Sequence, residues 1–162
     1  MKIDIDTGSA TEAVIVMSRM FDAPREVVWA AFTDPKHVVN WYGGHGFSNP
    51  VCEMDVRPGG LWRHVMRAPN GTEYAFDFIY LEVVEPERLV WQNADHGKCK
   101  DGPPTSVVTV TLGDLGAQTR WRMVARFDSI AARDLSVKMG FGQMIDVSNA
   151  GLDAYLKSPQ GK

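Results

Sequence analysis

The stretch from residue 21 to residue 62 constrains the fold of this chain more than any other part of the sequence. Ala23-Pro24 is expected to end a strand and begin a helix, because proline has a helical φ already fixed and no N–H to leave unsatisfied in the first turn. That helix has one apolar face, formed by Val27, Val28, Ala31 and Phe32. Asp34 is placed to cap a second short helix that has Pro35 at its first position. The sequence therefore predicts one strand followed by two short helices.

Alternation of apolar and polar residues, bounded by turn signals, predicts seven strands. They are expected over 13–21, 51–56, 61–66, 74–80, 89–92, 105–112 and 118–127. Arg57-Pro58-Gly59-Gly60 supplies the dihedral angles of a tight hairpin, and Asn70-Gly71 is a second strong turn signal. The last strand has arginines on one face and apolar residues on the other, and the arginine face is expected in water because a buried unpaired guanidinium is costly.

Residues 131–157 follow a helical pattern that Gly140, Gly142 and Gly151 interrupt. Each glycine inside a helix costs on the order of 1 kcal/mol relative to alanine, so packing must hold this helix. Close approach to the sheet would explain the glycines, and the pattern leaves open whether the helix is continuous, kinked or broken near Gly140-Phe141-Gly142. The order of elements predicts an α+β architecture with the helices on one face of the sheet.

Composition excludes several classes of function. The chain has 162 residues, with 17 Lys and Arg against 20 Asp and Glu, so its formal charge of −3 disfavours nucleic acid and anionic membranes as partners. We expect a single domain over 11–157, with a flexible N-terminal tail at 1–10 and a C-terminal tail at 158–162. Residues 1–10 have no apolar run and are not expected to act as a secretory signal, and no segment approaches the roughly 18 to 20 apolar residues of a membrane span.

Cysteine and histidine usage argues against a metal. Cys52 and Cys99 are far apart and neither lies in a Cys-x-x-Cys pair, which gives little support to a disulfide framework or a zinc site. The conceivable ligands lack zinc-like spacing; they are His45, Cys52, His64 and His96. We expect no metal, no cofactor and a cytoplasmic location.

Five motifs stand in order along the chain. They are Arg19-Met20-Phe21-Asp22-Ala23-Pro24, Val28-Trp29-Ala30-Ala31, Thr33-Asp34-Pro35, Asp55-Val56-Arg57-Pro58-Gly59-Gly60 and Pro86-Glu87-Arg88-Leu89-Val90-Trp91. In order and spacing they resemble the activators of the heat-shock protein 90 ATPase, a branch of the START-like (SRPBCC) superfamily. The resemblance covers about residues 14–156. It implies a helix-grip fold, also called START-like or Bet v 1-like, in which a curved antiparallel sheet wraps a long C-terminal helix and leaves a cavity between them.

The inward positions of that fold are expected to hold a small hydrophobic or aromatic ligand. The candidate ligand-binding residues are Trp62, His64, Met66, Phe76, Phe78, Tyr80, Trp91, Trp121, Met123, Met139 and Met144. Aromatic rings give flat walls and methionine adapts to irregular shapes, so this lining suits a bulky apolar guest. Plain core packing is the alternative for each residue taken singly. The cavity mouth is expected at Trp41, Tyr42 and Phe47, beside a mobile glycine-rich loop.

Several polar residues are candidates for either a structural or a ligand-binding role. His64 is either a core histidine with satisfied hydrogen bonds or a group that contacts a ligand carbonyl or phenol. Arg19 is expected in an ion pair, with Glu82 as a possible partner, while Asp55 and Arg57 are expected to stabilise their turn. Many relatives carry a Gly-Trp pair in the final helix shortly before the position of Leu152. This chain lacks that indole and has polar residues there instead, which favours a larger or wetter cavity.

Three functions stay open on these grounds. The leading hypothesis is binding or sequestration of a hydrophobic ligand, because no convincing catalytic set is present. The second is a cyclase or dehydratase in which His64 or a tyrosine moves a proton. The third is regulation of a chaperone ATPase; it is disfavoured by the few residues before the first strand, since the eukaryotic activators have an additional N-terminal domain. A homodimer through a sheet edge is possible.

Overall fold

One antiparallel sheet and four helices make up the part of the chain that the computed structural model describes, residues 4–94 and 104–159. The strands are β1 (Asp4–Asp6), β2 (Val14–Phe21), β3 (Ser48–Met54), β4 (Leu61–Arg67), β5 (Glu73–Val84), β6 (Arg88–Asn93), β7 (Val107–Leu115) and β8 (Gln118–Arg126). The helices are α1 (Arg25–Thr33), α2 (Pro35–Trp41), α3 (Ile130–Lys138) and α4 (Phe141–Lys157). The seven predicted strands and the two short helices are confirmed. The polar loop predicted over 93–104 lies largely outside the described residues.

The sheet order is β1-β2-β8-β7-β6-β5-β4-β3, so the strand before the helices pairs with the last strand of the chain. The six strands from β3 to β8 each pair with the next one along the chain. The chain therefore builds most of the sheet from hairpins, and α1 and α2 carry it from β2 to the opposite edge. This is the curved sheet with a C-terminal helix that the helix-grip prediction describes, and the prediction is confirmed.

The strand β8 shows how one sheet face becomes the interior. Its buried residues alternate with exposed ones: Thr119, Trp121, Met123 and Ala125 are buried, whereas Arg120, Arg122 and Arg126 are exposed. Adjacent side chains of a strand point to opposite faces, so a single register places Trp121, Met123 and Ala125 inside. The predicted wet arginine face is confirmed.

The two short helices begin as predicted. Pro24 is the N-cap residue of α1, and Asp34 caps α2 through a 2.9 Å bond that its carboxylate accepts from the Lys36 backbone N–H. Pro35 occupies the first turn of α2, where its missing N–H leaves no donor unsatisfied.

The C-terminal helical region consists of two helices, which decides between a continuous and a broken helix. The helix α3 ends at Lys138 and α4 begins at Phe141, with Gly140 between them at a φ of +94°. Residues other than glycine rarely adopt this conformation, which explains the glycine. The break resets the helical phase, and Met139 is 47% exposed. The inward position expected for Met139 is therefore wrong.

The N-terminal segment takes part in the sheet. Residues 1–10 were expected to form a tail, yet Asp4–Asp6 pairs with Val16–Ser18 as an edge strand. Its two aspartates keep the edge charged, which protects an exposed strand from pairing with other chains. Further along, the buried Arg133 of α3 donates to the Ser9 and Glu12 carbonyl oxygens at 2.7 and 3.2 Å. These contacts hold the segment that leads into β2.

Candidate functional site

The inner face of the sheet carries the predicted ligand-binding residues of β4. Trp62, His64 and Met66 are all buried, and their exposed fractions are 4%, 1% and 3%. Across the hairpin, Trp62 pairs with Phe78 and His64 with Phe76. The aromatic stripe of β5 thus lies beside the β4 residues, as the alternation predicted.

Tyr42 packs onto this aromatic face from the segment after α2. Its ring centroid lies 4.5 Å from that of His64, 5.7 Å from Phe76 and 5.8 Å from Trp62. Phe47 is half-buried, and Trp41, which was expected at an opening, is 4% exposed and donates its indole N–H to the Ala31 carbonyl at 3.0 Å. Trp41 therefore belongs to the core rather than to a mouth.

The aromatic face continues towards the middle of the sheet. The Tyr80 ring is stacked on Trp62 with an interplanar angle of 8°, and Trp91 meets Trp62 edge-on at 5.5 Å. Tyr80, Trp121 and Met123 are at most 2% exposed and Trp91 is 9% exposed, whereas Phe76, Phe78 and Met144 are half-buried. Ten of the eleven predicted lining residues thus have a buried or half-buried position, Met139 being the exception.

His64 is the centre of a directional hydrogen-bond chain. The Trp62 indole N–H donates to His64 Nδ1 at 3.1 Å, and indole nitrogen can only donate. His64 must therefore carry its proton on Nε2, which donates to Asn49 Oδ1 at 2.7 Å. Asn49 Nδ2 in turn donates to the carbonyl oxygens of Val39 and Tyr42 at 3.0 and 3.1 Å. These hydrogen bonds connect β4, through Asn49 of β3, to α2 and to Tyr42 directly after it.

This geometry favours the structural interpretation of His64. Burial lowers the pKa of the imidazole to about 4, so the ring is neutral near pH 7. Both ring nitrogens already have protein partners, and a proton transfer to a substrate would break one of these bonds. Sequence reasoning missed Asn49. Asn49 lies outside the strand predicted over 51–56 and beside Pro50, so no local signal marked it.

The other titratable groups near this face stay neutral. Burial raises the pKa of the Cys52 thiol to about 11. The pKa values of the Tyr42 and Tyr80 phenols are raised as well, first by burial and then by the nearby Cys52. At physiological pH the aromatic face therefore presents an uncharged surface with phenol, thiol and imidazole groups.

Several buried side-chain atoms have no hydrogen-bond partner among the described residues, and three of them are uncharged groups of the inner face of the sheet or of α4. They are the Tyr80 hydroxyl, the Trp121 indole N–H and the Asn149 amide nitrogen. Tyr80 and Trp121 lie on the inner face of the sheet. Asn149 lies on the α4 stripe that also carries Ile145 and Leu152 and packs into the same core. Asn149 is 2% exposed, so the polar character expected for this part of the helix is present and faces inward.

The glycine-rich segment after α2 is packed against α4. A Cβ on Gly44 would lie 2.8 Å from the Val147 carbonyl oxygen, and a Cβ on Gly151 would lie 2.8 Å from the Trp41 carbonyl oxygen. Gly43 has a φ of +87°, and its N–H donates to the Ser148 hydroxyl at 3.0 Å. These glycines permit close contact between the segment and the helix. Gly151 thus approaches the α2 segment, not the sheet as expected.

Arg19 has a different ion-pair partner from the expected one. Its guanidinium lies 3.8 Å from Asp153 of α4 and 4.9 Å from the centre of the Phe21 ring. Glu82 pairs with Arg88 instead. Arg19 lies on β2 and Glu82 on β5, and three strands separate these two in the sheet. The Glu82 assignment is wrong because sequence alone did not give the strand order.

The turn between β3 and β4 has the structural role that was expected for it. Arg57 Nε donates to Asp55 Oδ2 at 2.8 Å. A Cβ on Gly60 would lie 1.9 Å from the Asp55 carbonyl oxygen, so only glycine fits. Tyr80 exchanges backbone hydrogen bonds with Gly59 and Gly60 at 2.7 and 2.9 Å. The turn therefore anchors β5 at the position where Tyr80 enters the aromatic face.

Two further observations concern the described residues as a whole. They contain no group of three or more His, Cys, Asp or Glu side chains that could hold a metal ion. His96 and Cys99, which were weighed as ligands or thiols, lie outside the described residues. No helix within 4–94 or 104–159 is long and apolar enough to cross a membrane.

Comparison with known proteins identifies relatives over nearly the whole chain. The family described as activator of Hsp90 ATPase homolog 1-like protein matches residues 22–157. A protein of Nitrosomonas europaea is 26% identical with a TM-score of 0.80, covering 93% of this chain and 97% of its own. A Rhodobacter sphaeroides protein is also 26% identical, with a TM-score of 0.82 and coverage of 96% and 98%. A Mycobacterium smegmatis protein, 23% identical with a TM-score of 0.84 and 96% coverage of both chains, shares the fold. No curated protein matches the chain.

Proposed function

This chain belongs to the activator of Hsp90 ATPase homolog 1-like family, and we propose that it binds a small, largely aromatic molecule between the inner face of the sheet and α4. The observation that carries the proposal is a set of three buried polar groups that have no hydrogen-bond partner within residues 4–94 and 104–159: Tyr80 Oη, Trp121 Nε1 and Asn149 Nδ2. Buried donors are almost always satisfied in folded proteins, and an unsatisfied one costs about 1–3 kcal/mol. A ligand that accepts hydrogen bonds would offset this cost.

The chemistry of these groups defines the ligand. The indole and amide nitrogens can only donate, and the phenol can donate or accept. A carbonyl, ether or phenolic oxygen on the ligand is an acceptor of the kind that each of these donors lacks. Cys52, Tyr42 and Tyr80 are uncharged at neutral pH, since burial raises their pKa values, and an apolar body therefore meets no charge on this face. Trp62, Trp91 and Phe78 supply ring faces and edges for such a body.

Binding without a reaction is favoured over catalysis. The one histidine of the aromatic face has both ring nitrogens occupied by Trp62 and Asn49. A general base must reach the proton that it abstracts, and His64 can do so only by giving up one of these bonds. The donors of Tyr80, Trp121 and Asn149 would orient the ligand, whereas both ring nitrogens of His64 form hydrogen bonds within the protein.

A matched pair of probes tests the proposal. 2-Acetylnaphthalene and 2-isopropylnaphthalene have nearly the same size, and only the first carries a carbonyl oxygen. We expect both to raise the melting temperature and to quench tryptophan fluorescence. The ketone should bind up to about tenfold more tightly, because a net hydrogen bond contributes about 0.5–1.5 kcal/mol.

A variant then identifies the donor. Trp121→Phe keeps the aromatic ring but removes the N–H, so the preference for the ketone should shrink. Trp29→Phe, a change in the buried α1 tryptophan, is the matched control and should keep the preference. If neither naphthalene binds to protein whose circular dichroism is native, the proposed interior site is wrong. Mass spectrometry of protein isolated from its own host under native conditions would then search for a retained molecule of another class.

A further inference from the structure

A groove of about 300 Å³ lies on the opposite, outer face of the sheet. Its walls include Arg25 at the start of α1, Glu87 and Arg88 at the start of β6, and Arg120 and Arg122 on β8. Gly113 of β7 is the cross-strand partner of Arg120, and it has no side chain to fill the surface at that point. The groove is thus built from three strands and one helix end, and it is distinct from the interior site.

The groove gathers positive charge on a chain that is acidic overall. Four arginines and one glutamate line it, whereas the whole chain has a formal charge of −3. Arg88 and Arg122 flank Thr111 in one row of the sheet, which puts their backbones about 10 Å apart. Arg120 and Arg122 are two residues apart on one strand, or about 7 Å. Like charges at these distances repel one another unless an anion lies between them.

The arginines differ in how far their charge is already compensated. Arg88 forms a two-nitrogen contact with Glu82. Arg25 lies 3.9 Å from Glu87 and 4.0 Å from Asp114, both longer than the 2.7–2.9 Å of a charge-assisted hydrogen bond. The Arg25 Nε is buried and has no hydrogen-bond partner among the described residues. Arg120 and Arg122 are exposed, and within residues 4–94 and 104–159 no ion pair involves them.

The N-terminus of α1 adds to the positive electrostatic potential of the groove. Arg25 is the first residue of α1, and no side chain caps this helix because Pro24 occupies the N-cap position. A helix N-terminus carries a partial positive charge that favours anions. The guanidinium groups supply planar pairs of N–H donors, which match the oxygens of phosphate and carboxylate groups.

We propose that this groove binds a small multivalent oxyanion, either a phosphate ester or a dicarboxylate. Arg120, Arg122 and the buried Nε of Arg25 would donate hydrogen bonds to it. The volume limits the ligand to a small molecule or to its charged end group. Arg88, which is paired with Glu82, forms the wall of the groove on the β6 side. Binding at this site is independent of the ligand proposed for the interior, because the sheet separates the two.

Amide chemical shifts measured by NMR during titration test the proposal on the whole chain. The probes are inorganic pyrophosphate and malonate, each added at constant ionic strength near 0.1 M so that screening does not change. We expect saturable shifts centred on Gly113 and residues 120–122 with at least one of the two probes. A response to pyrophosphate alone assigns a phosphate ligand, and a response to malonate alone assigns a dicarboxylate.

Matched variants separate a site from a general effect of charge. The double variant R120Q/R122Q removes two arginines of the groove, and R63Q/R126Q removes two outward arginines elsewhere on the sheet, which lie 3.7 Å from Asp77 and Glu12 respectively. We expect at least tenfold weaker binding for the first, about 1.4 kcal/mol, and wild-type affinity for the second. The proposal is overturned if neither probe gives saturable shifts at the groove in the wild-type protein, or if both double variants lose affinity equally.

Discussion

The strongest test of the interior geometry is the dependence of stability on pH. His64 is 1% exposed and its pKa falls from 6.5 to about 4 on burial, because the imidazolium form loses its hydration. Between pH 6.5 and pH 4 the unfolded chain therefore binds a proton at this position that the folded chain does not bind. Stability from His64 is fully present above pH 6.5 and decreases as the pH falls through this window, by about 1.4 kcal/mol per pH unit. Integrated between pH 7 and pH 5, the loss is about 2 kcal/mol.

The variant His64→Gln isolates this contribution. Glutamine has one acceptor and one donor group at the end of its side chain, so it can replace both hydrogen bonds, to Trp62 and to Asn49, without titrating. We would measure urea unfolding by tryptophan fluorescence at pH 7, 6 and 5 for the wild type, His64→Gln and His45→Gln, whose histidine is exposed. The wild type and His45→Gln should lose about 2 kcal/mol more than His64→Gln between pH 7 and pH 5. Equal losses in all three proteins would refute a buried, neutral His64.

Three further substitutions test the contacts around the site by urea unfolding. Gly151→Ala should destabilise the chain by more than about 1 kcal/mol, because its Cβ would lie 2.8 Å from the Trp41 carbonyl oxygen; little change would mean that the segment and α4 can move apart. Asn49→Ala should cost about 1–3 kcal/mol, since it leaves the His64 N–H and two carbonyl groups without their partner, and the exposed Asn40→Ala is its control. Ser129→Ala removes the hydroxyl that caps α3 and should cost about 1 kcal/mol, so an unchanged midpoint would show that the cap does not matter.

The strands could be predicted from sequence because a period of two leaves little choice. Trp62, His64 and Met66 on β4, and Trp121 and Met123 on β8, have the buried positions that alternation assigns to them. Placing either strand one residue out of register would bury arginines, which is too costly to occur without partners. Local pattern and global fold therefore agree in these strands.

Two kinds of prediction were wrong. One concerns the role of individual glycines, and the other concerns the ion-pair partner of Arg19, which is distant in the chain. A glycine permits both movement and close approach, and sequence does not say which of the two a given position needs. Gly44 and Gly151 allow α4 to lie close to the end of α2 and to the residues directly after it. The partner of Arg19 depends on strand order and on the path of α4, which brings Asp153 within 3.8 Å. Neither follows from residues near Arg19 in the chain.

Asn49 shows a different limit of sequence reasoning. Its side chain accepts from His64 and donates to two carbonyl groups, so its role exists only once β3, β4 and the α2 segment are assembled. An asparagine beside a proline at a strand start is usually part of a turn, and nothing local distinguishes the two cases. The chain of bonds explains why a polar histidine is tolerated among tryptophan and phenylalanine rings. Each of its polar atoms has a partner of the right kind.

The two proposed sites are related through the strand β8. Trp121 points into the interior, while its neighbours Arg120 and Arg122 point into the outer groove, because adjacent side chains of a strand lie on opposite faces. On β8 this alternation places the uncharged Trp121 indole inside and the guanidinium groups of Arg120 and Arg122 outside. The two faces therefore favour different ligands, since the guanidinium groups outside attract an oxyanion and the aromatic rings inside offer surface to a naphthalene. Substitutions on one face remove side chains that the other ligand does not touch, so each proposal can fail while the other stands.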